Sequence, residues 1–96
     1  IYFKYIINMD QYSERTFIFS SDLFSNYSVK ISLYQVSSID EIVNIAKENL
    51  LSLFNDHNLT TLAEIVEKSN LHIHSYTIEQ ILTSKKEDVF YICDHT

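Results

Sequence analysis

Not one of the 96 residues is glycine or proline, tryptophan is missing, and cysteine occurs once. A Walker-type phosphate loop, a dinucleotide-binding turn, a nucleophile elbow and a standard EF-hand loop each need glycine where a side chain would block the phosphate, the turn or the metal. Those sites are excluded. The lone Cys93 has no second cysteine in the chain to pair with, so a reducing compartment, the cytoplasm, is expected. Without glycine, left-handed backbone positions fall to asparagine, and Asn8, Asn26, Asn55, Asn58 and Asn70 are the candidates. Long apolar runs are lacking as well. Val89 to Cys93 is typical, far short of the roughly 20 residues a membrane-spanning helix needs, so no membrane association is expected.

A cluster of basic residues is also missing. Net charge is −6, and its distribution is uneven. Asp10, Glu14 and Asp22 are balanced by Lys4, Arg15 and Lys30 in the first third. From residue 37 to 70, Asp40, Glu41, Glu48, Asp56, Glu64 and Glu67 face only Lys47 and Lys68. A nucleic-acid backbone or an anionic lipid surface is held by clustered Lys and Arg, so neither is an expected partner.

What is present describes a folded domain. Apolar residues make up 46% and charged residues 21%, which separates the chain from disordered sequences. One domain spanning 1–96 is expected, because this length holds a single core. Abundant Ile, Asn, Lys, Phe and Tyr, against scarce Gly, Pro, Trp and Arg, mark an AT-rich genome.

The first third alternates at the period of a strand. Residues 1, 3, 5 and 7 form one apolar face in Ile1 to Ile7, Arg15 to Phe19 resumes the pattern, and Val29, Ile31 and Leu33 face inward in Val29 to Tyr34. Three strands in an antiparallel meander are expected. The spacing then turns helical. Ser38-Ile39-Asp40-Glu41 is a capping box, followed by the stripe Ile39, Ile42, Val43, Ala46, Leu50, Leu53 and Phe54, with Asn55 as its left-handed stop. Thr61 to Glu64 opens a second helix ending near Asn70, and Thr77 to Gln80 is a capping box for a third, with Tyr76 expected to pack on Ile81. Leu71 to Ser75 alternates as a short strand. Val89 to Cys93, apolar throughout, reads as a central strand covered on both faces. The expected fold is α+β: a two-layer domain of order β-β-β-α-α-β-α-β, with helices on one face of a mixed, mostly antiparallel sheet of about five strands.

Set in this composition, the ending Ile78-Glu79-Gln80-Ile81-Leu82 through Val89-Phe90-Tyr91-Ile92-Cys93-Asp94-His95 resembles small proteins of giant, mimivirus-like DNA viruses. The resemblance extends along the chain without a diagnostic motif. It implies a viral origin and a place in the host cytoplasm, and it transfers no catalytic residue.

Two constellations suggest chemistry. His72-x-His74 and Cys93-x-His95 each place residues two apart on one strand face, and if the strands are neighbours, His72, His74, Cys93 and His95 form a His₃Cys set suited to zinc. Against this, the stronger reading makes His72 and His74 the wet side of a strand and Cys93 a small buried hydrophobe. A Cys93/His95 nucleophile pair lacks an orienting third group. The second constellation is aromatic: Tyr2, Tyr5, Tyr27, Tyr34 and Tyr91 resemble a stacking platform, but few basic residues accompany them. The expectation is a non-enzymatic domain that binds a protein partner or a second copy of itself, contacting it through Tyr2, Lys4, Lys30 and Tyr34. No cofactor is expected, with zinc the alternative.

Overall fold

Large apolar side chains at every second position make residues 14–19 a strand, because alternation sends Phe17 and Phe19 to one side and Thr16 and Ile18 to the other. In a computed structural model, which describes residues 13–22 and 24–94, this strand β1 (Glu14–Phe19) is followed by β2 (Ser28–Ser32). A 3₁₀ turn (Leu33–Gln35) leads on to α1 (Ile39–Asp56), α2 (Thr60–Lys68), β3 (Leu71–His72), α3 (Ile78–Leu82) and β4 (Val89–Asp94). The strand expected at residues 1–7 lies outside the described residues.

The architecture is α+β, with one mixed sheet of order β2-β1-β4-β3. β1 pairs antiparallel with β2, Phe17 opposite Val29, and β3 pairs antiparallel with β4, His72 opposite Cys93. At the centre β1 runs parallel to β4, with Phe17 beside Phe90 and Ile18 beside Tyr91. Among the described residues the sheet therefore has four strands instead of five, and a parallel pair forms its middle where a mostly antiparallel sheet was expected. The ladders align one set of side chains. Phe17, Phe19, Ile31, Phe90, Ile92 and Leu71 join the α1 stripe (Ile42, Ala46, Leu50, Phe54), Ala63 and Val66 of α2, and Ile81 of α3 in a single core. The Phe17 and Phe90 rings stack with centroids 5.6 Å apart across the parallel pair.

β4 corrects the expectation of a strand covered twice. It is central in the sheet, yet Val89 and Tyr91 remain 41% and 55% exposed while Phe90 and Ile92 are buried. The helices pack against the opposite face, so an apolar run does not by itself imply two covered faces. β2 ends at Ser32, earlier than expected, because the chain tightens into the 3₁₀ turn that buries Leu33.

The helix ends follow capping chemistry. Ser38 accepts from the Glu41 amide at 3.2 Å. The Glu41 carboxylate takes a 2.7 Å bond from the Ser37 hydroxyl where a return to Ser38 was expected. Thr77 and Gln80 complete their reciprocal box. Tyr76 packs edge-to-face on Phe90, centroids 5.0 Å apart. Positive φ occurs at Asn26 (74°), Asn58 (59°) and Ser75 (71°) among the described residues. Asn55 instead lies in the last turn of α1, which runs on to Asp56 with His57 as its cap. Asn70 is not among the left-handed positions either, and Asn8 lies outside the described residues.

Among the described residues, one buried side chain is charged. Arg15, 2% exposed, lies on the helix-facing side of β1. It donates from Nη2 to the Ser84 carbonyl (2.8 Å) and from Nε to the Ser84 hydroxyl (3.1 Å). Its Nη1 reaches the carbonyl and hydroxyl of Ser13 at 3.0 and 2.9 Å. The guanidinium thus ties the start of β1 to the turn between α3 and β4, with a hydrogen bond in place of the hydration it gives up.

Candidate functional site

The two faces of the sheet differ in kind. On the face away from the core, the registers align Lys30, Thr16 and Val89 in one row across β2, β1 and β4, align Ser28, Ile18 and Tyr91 in the next, and set His72 beside Cys93. Val89, Tyr91 and half-buried Ile18 make an apolar strip on the two central strands. Single exposed apolar residues are unremarkable, but three adjacent ones on the solvent side of a sheet form a patch.

The zinc candidates gather at the rim of this face. His72 lies directly opposite Cys93 in the β3–β4 ladder, a placement that sets Cβ atoms about 4.5–5.5 Å apart. The His74 ring stacks on His72, centroids 5.9 Å apart and planes inclined by 29°. The strand ends at His72, yet Ile73 is still buried and His74 exposed, so the alternation read from the sequence continues past the ladder. Cys93 is half-buried, and the Ser20 hydroxyl lies 3.3 Å from its Sγ and 3.3 Å from the Ile92 carbonyl. That hydroxyl had no signal in the sequence, because it depends on the parallel pairing of β1 with β4. His95 lies outside the described residues. Among the described residues, no group of three or more His, Cys, Asp or Glu side chains is arranged to hold a metal ion.

Of the expected contact residues, Lys30 projects from the exposed face of β2, and Tyr34, 65% exposed, follows in the 3₁₀ turn. Tyr2 and Lys4 lie outside the described residues. Tyr27 packs edge-to-face on Phe54 at 5.1 Å, on the core side, so it does not join Tyr91 in a common platform.

A cleft of about 370 Å³ lies between α1 and the chain entering β3, lined by Asp40, Asn44, Lys47, Ser69, Asn70 and His72. Its ammonium group is engaged: Lys47 Nζ donates to the Glu67 carbonyl at the end of α2, 2.7 Å away. Among the described residues, no helix is long and apolar enough to cross a membrane. No known protein family, curated protein or solved structure matches the chain.

Proposed function

We propose that the chain is a non-enzymatic protein-interaction domain whose contact surface is the helix-free face of the sheet. The observation that supports it is the apolar strip of Ile18, Val89 and Tyr91 on the solvent side of the central strands. Lys30 lies on the same face, opposite Thr16 of β1, and exposed Tyr34 follows in the turn after β2. A protein partner suits the face better than nucleic acid: Lys30 is accompanied by Glu14 on the same face, and the chain carries −6 overall, whereas a phosphate backbone requires clustered cations. The lone cysteine favours a reducing compartment, and the cytoplasm, that of a host cell if the origin is viral, is the location we assign.

The test uses a photo-crosslinking residue placed at position 91 and, separately, at Glu48 on α1. A discrete adduct at 91 that Val89→Lys abolishes, without one at 48, is the expected outcome. Adducts at both positions alike, or at neither, would refute the assignment.

A second reading is supported by the opposition of His72 to Cys93 and the stacking of His74 on His72: a zinc-stabilised domain drawing on His72, His74, Cys93 and His95. An elemental assay of purified protein checks it. Absence of metal, together with a melting temperature that chelator leaves unchanged, would end this reading.

A further inference from the structure

We propose that His72 and Cys93 form half of a tetrahedral zinc site that a second copy of the chain completes, joining two sheets face to face. The inference rests on the helix-free face being the contact surface and names the partner that meets it.

Neighbouring strands hold the two side chains on one face, at the spacing of a direct cross-strand pair. Zinc bonds of about 2.3 Å to sulfur and 2.0–2.1 Å to nitrogen require ligand atoms roughly 3.5 Å apart, within reach of such a pair. The Ser20 hydroxyl next to Sγ is placed to donate to a thiolate, the outer hydrogen bond that orients metal ligands and adjusts their basicity. In the proposed site each chain contributes two ligands, His72 and Cys93, so the other two positions of a four-coordinate ion fall to a partner. A twofold axis through the ion fills them with the same two residues from the other copy, giving Cys₂His₂.

The dimensions agree with this arrangement. Sheets packed face to face lie about 10 Å apart, which leaves about 5 Å from each backbone to an ion at the midplane, a distance the cysteine side chain spans together with its zinc–sulfur bond of about 2.3 Å. β3 is the edge strand of the sheet, so the site lies at the rim, where an ion can enter. The same packing covers Val89 and Tyr91.

The area explains why an ion is needed. Four strands about 4.8 Å apart, three of them five or six residues long and β3 only two, present roughly 300 Å², under half of the approximately 800 Å² per partner of a stable interface. Each copy also carries −6. Apolar burial alone falls short against that repulsion, whereas a zinc ion held by two thiolates supplies binding free energy without adding charge. Each cysteine releases its proton to solvent as it binds, so the dimer weakens as pH falls.

The experiment titrates zinc into metal-free protein, measuring mass by light scattering and stoichiometry by calorimetry. Cobalt is the spectroscopic substitute. The expected result is a mass rising from 11.3 kDa to twice that at half an equivalent of zinc per chain, with a thiolate-to-cobalt band in the cobalt form. Chelator should return the wild-type protein to the monomer, an arm that depends on no variant folding. Cys93→Ser and His72→Ala should each abolish the rise, and Tyr91→Glu should weaken it while leaving the unliganded melting temperature in place. A monomer binding one ion per chain overturns the proposal and leaves a site completed within the chain. Absence of metal binding, with adducts still forming through position 91, overturns it and leaves the interaction surface standing. Absence of both overturns the proposal and that surface together.

Discussion

Replacing Arg15 by methionine asks whether the buried guanidinium, beyond its packing, fastens the start of β1 to the turn before β4. Methionine keeps most of the stem volume and removes every donor. The Ser84 and Ser13 carbonyls, now 2.8 and 3.0 Å from the guanidinium, lose it as a partner. The two serine hydroxyls can rotate towards other acceptors, and Ser84 Oγ already donates to the Ile81 carbonyl. A carbonyl left dry costs about 1–3 kcal/mol. Two of them, allowing for partial access of water at this rim, place the loss at about 3 kcal/mol. Total stability for 96 residues is about 5–14 kcal/mol at roughly 0.05–0.15 kcal/mol per residue, so the change is a large fraction of it. Urea unfolding followed by circular dichroism should show the midpoint falling by about 1–3 M at an m-value of 1–3 kcal/mol/M. Arg15→Lys, which keeps the charge but loses the planar fork, should fall between methionine and wild type. If methionine and lysine both leave the midpoint within about 0.3 M of wild type, the guanidinium bonds contribute nothing and the reasoning fails.

Ser75 holds φ at 71°, where a side chain costs about 1–2 kcal/mol, so Ser75→Gly should be neutral or stabilise by up to about 1 kcal/mol in thermal melts. Asn55→Gly, inside the last turn of α1, should instead lose about 0.5–1 kcal/mol, and equal effects at the two positions would show that the helix end is misplaced. Thr77→Ala removes the hydroxyl that accepts from the Gln80 amide, leaves the Thr77 amide bonded to the Gln80 side chain, and should lower the melting temperature by about 4–8 °C, from about 1 kcal/mol; no shift would mean that the hydroxyl cap contributes nothing to α3. Phe54→Ala empties a fully buried position and removes the edge contact with Tyr27, for an expected loss of about 3–5 kcal/mol in the same urea assay.

Local chemistry was the legible part of the sequence. The buried α1 positions Ile42, Ala46, Leu50 and Phe54, the Ser38 cap, the Thr77–Gln80 box and the inward Ile31 and Leu33 all follow from spacing that operates within a few residues, and the structure shows each of them, whereas Leu53, read into the same stripe, is exposed. The pairing of β1 with β4 was not legible, because a parallel ladder between residues 16–19 and 89–92 leaves no periodicity in either segment that names its partner. The surroundings of the candidate site depend on that ladder. The placement of Tyr91 next to Ile18, and of the Ser20 hydroxyl at Cys93, appears only once the two strands are side by side. The neighbourhood of His72 and Cys93 was anticipated as conditional on adjacent strands, and β3 and β4 supply it. Arg15 escaped notice for a different reason: an isolated cation before an apolar alternation reads as the exposed mouth of a strand, and only carbonyls brought in from residue 84 make its burial tolerable.

The parallel pair also sets the order in which the fold can be completed. During synthesis β1 emerges early with an apolar face, and β4, its partner on the side away from β2, emerges after every other described element. Until residues 89–92 are free to move, Phe17 and Phe19 lack the strand that closes the sheet beside them. The hairpin of β1 and β2 must be sheltered by the helices alone, through Ile42, Ala46 and Leu50 of α1, Ala63 and Val66 of α2 and Ile81 of α3. Contacts separated by some seventy residues are slow to form, and an unpaired apolar strand is open to wrong partners while it waits. A chain cut before Val89 would therefore lose a strand from the middle of its sheet and expose on β1 the edge that the complete fold hides.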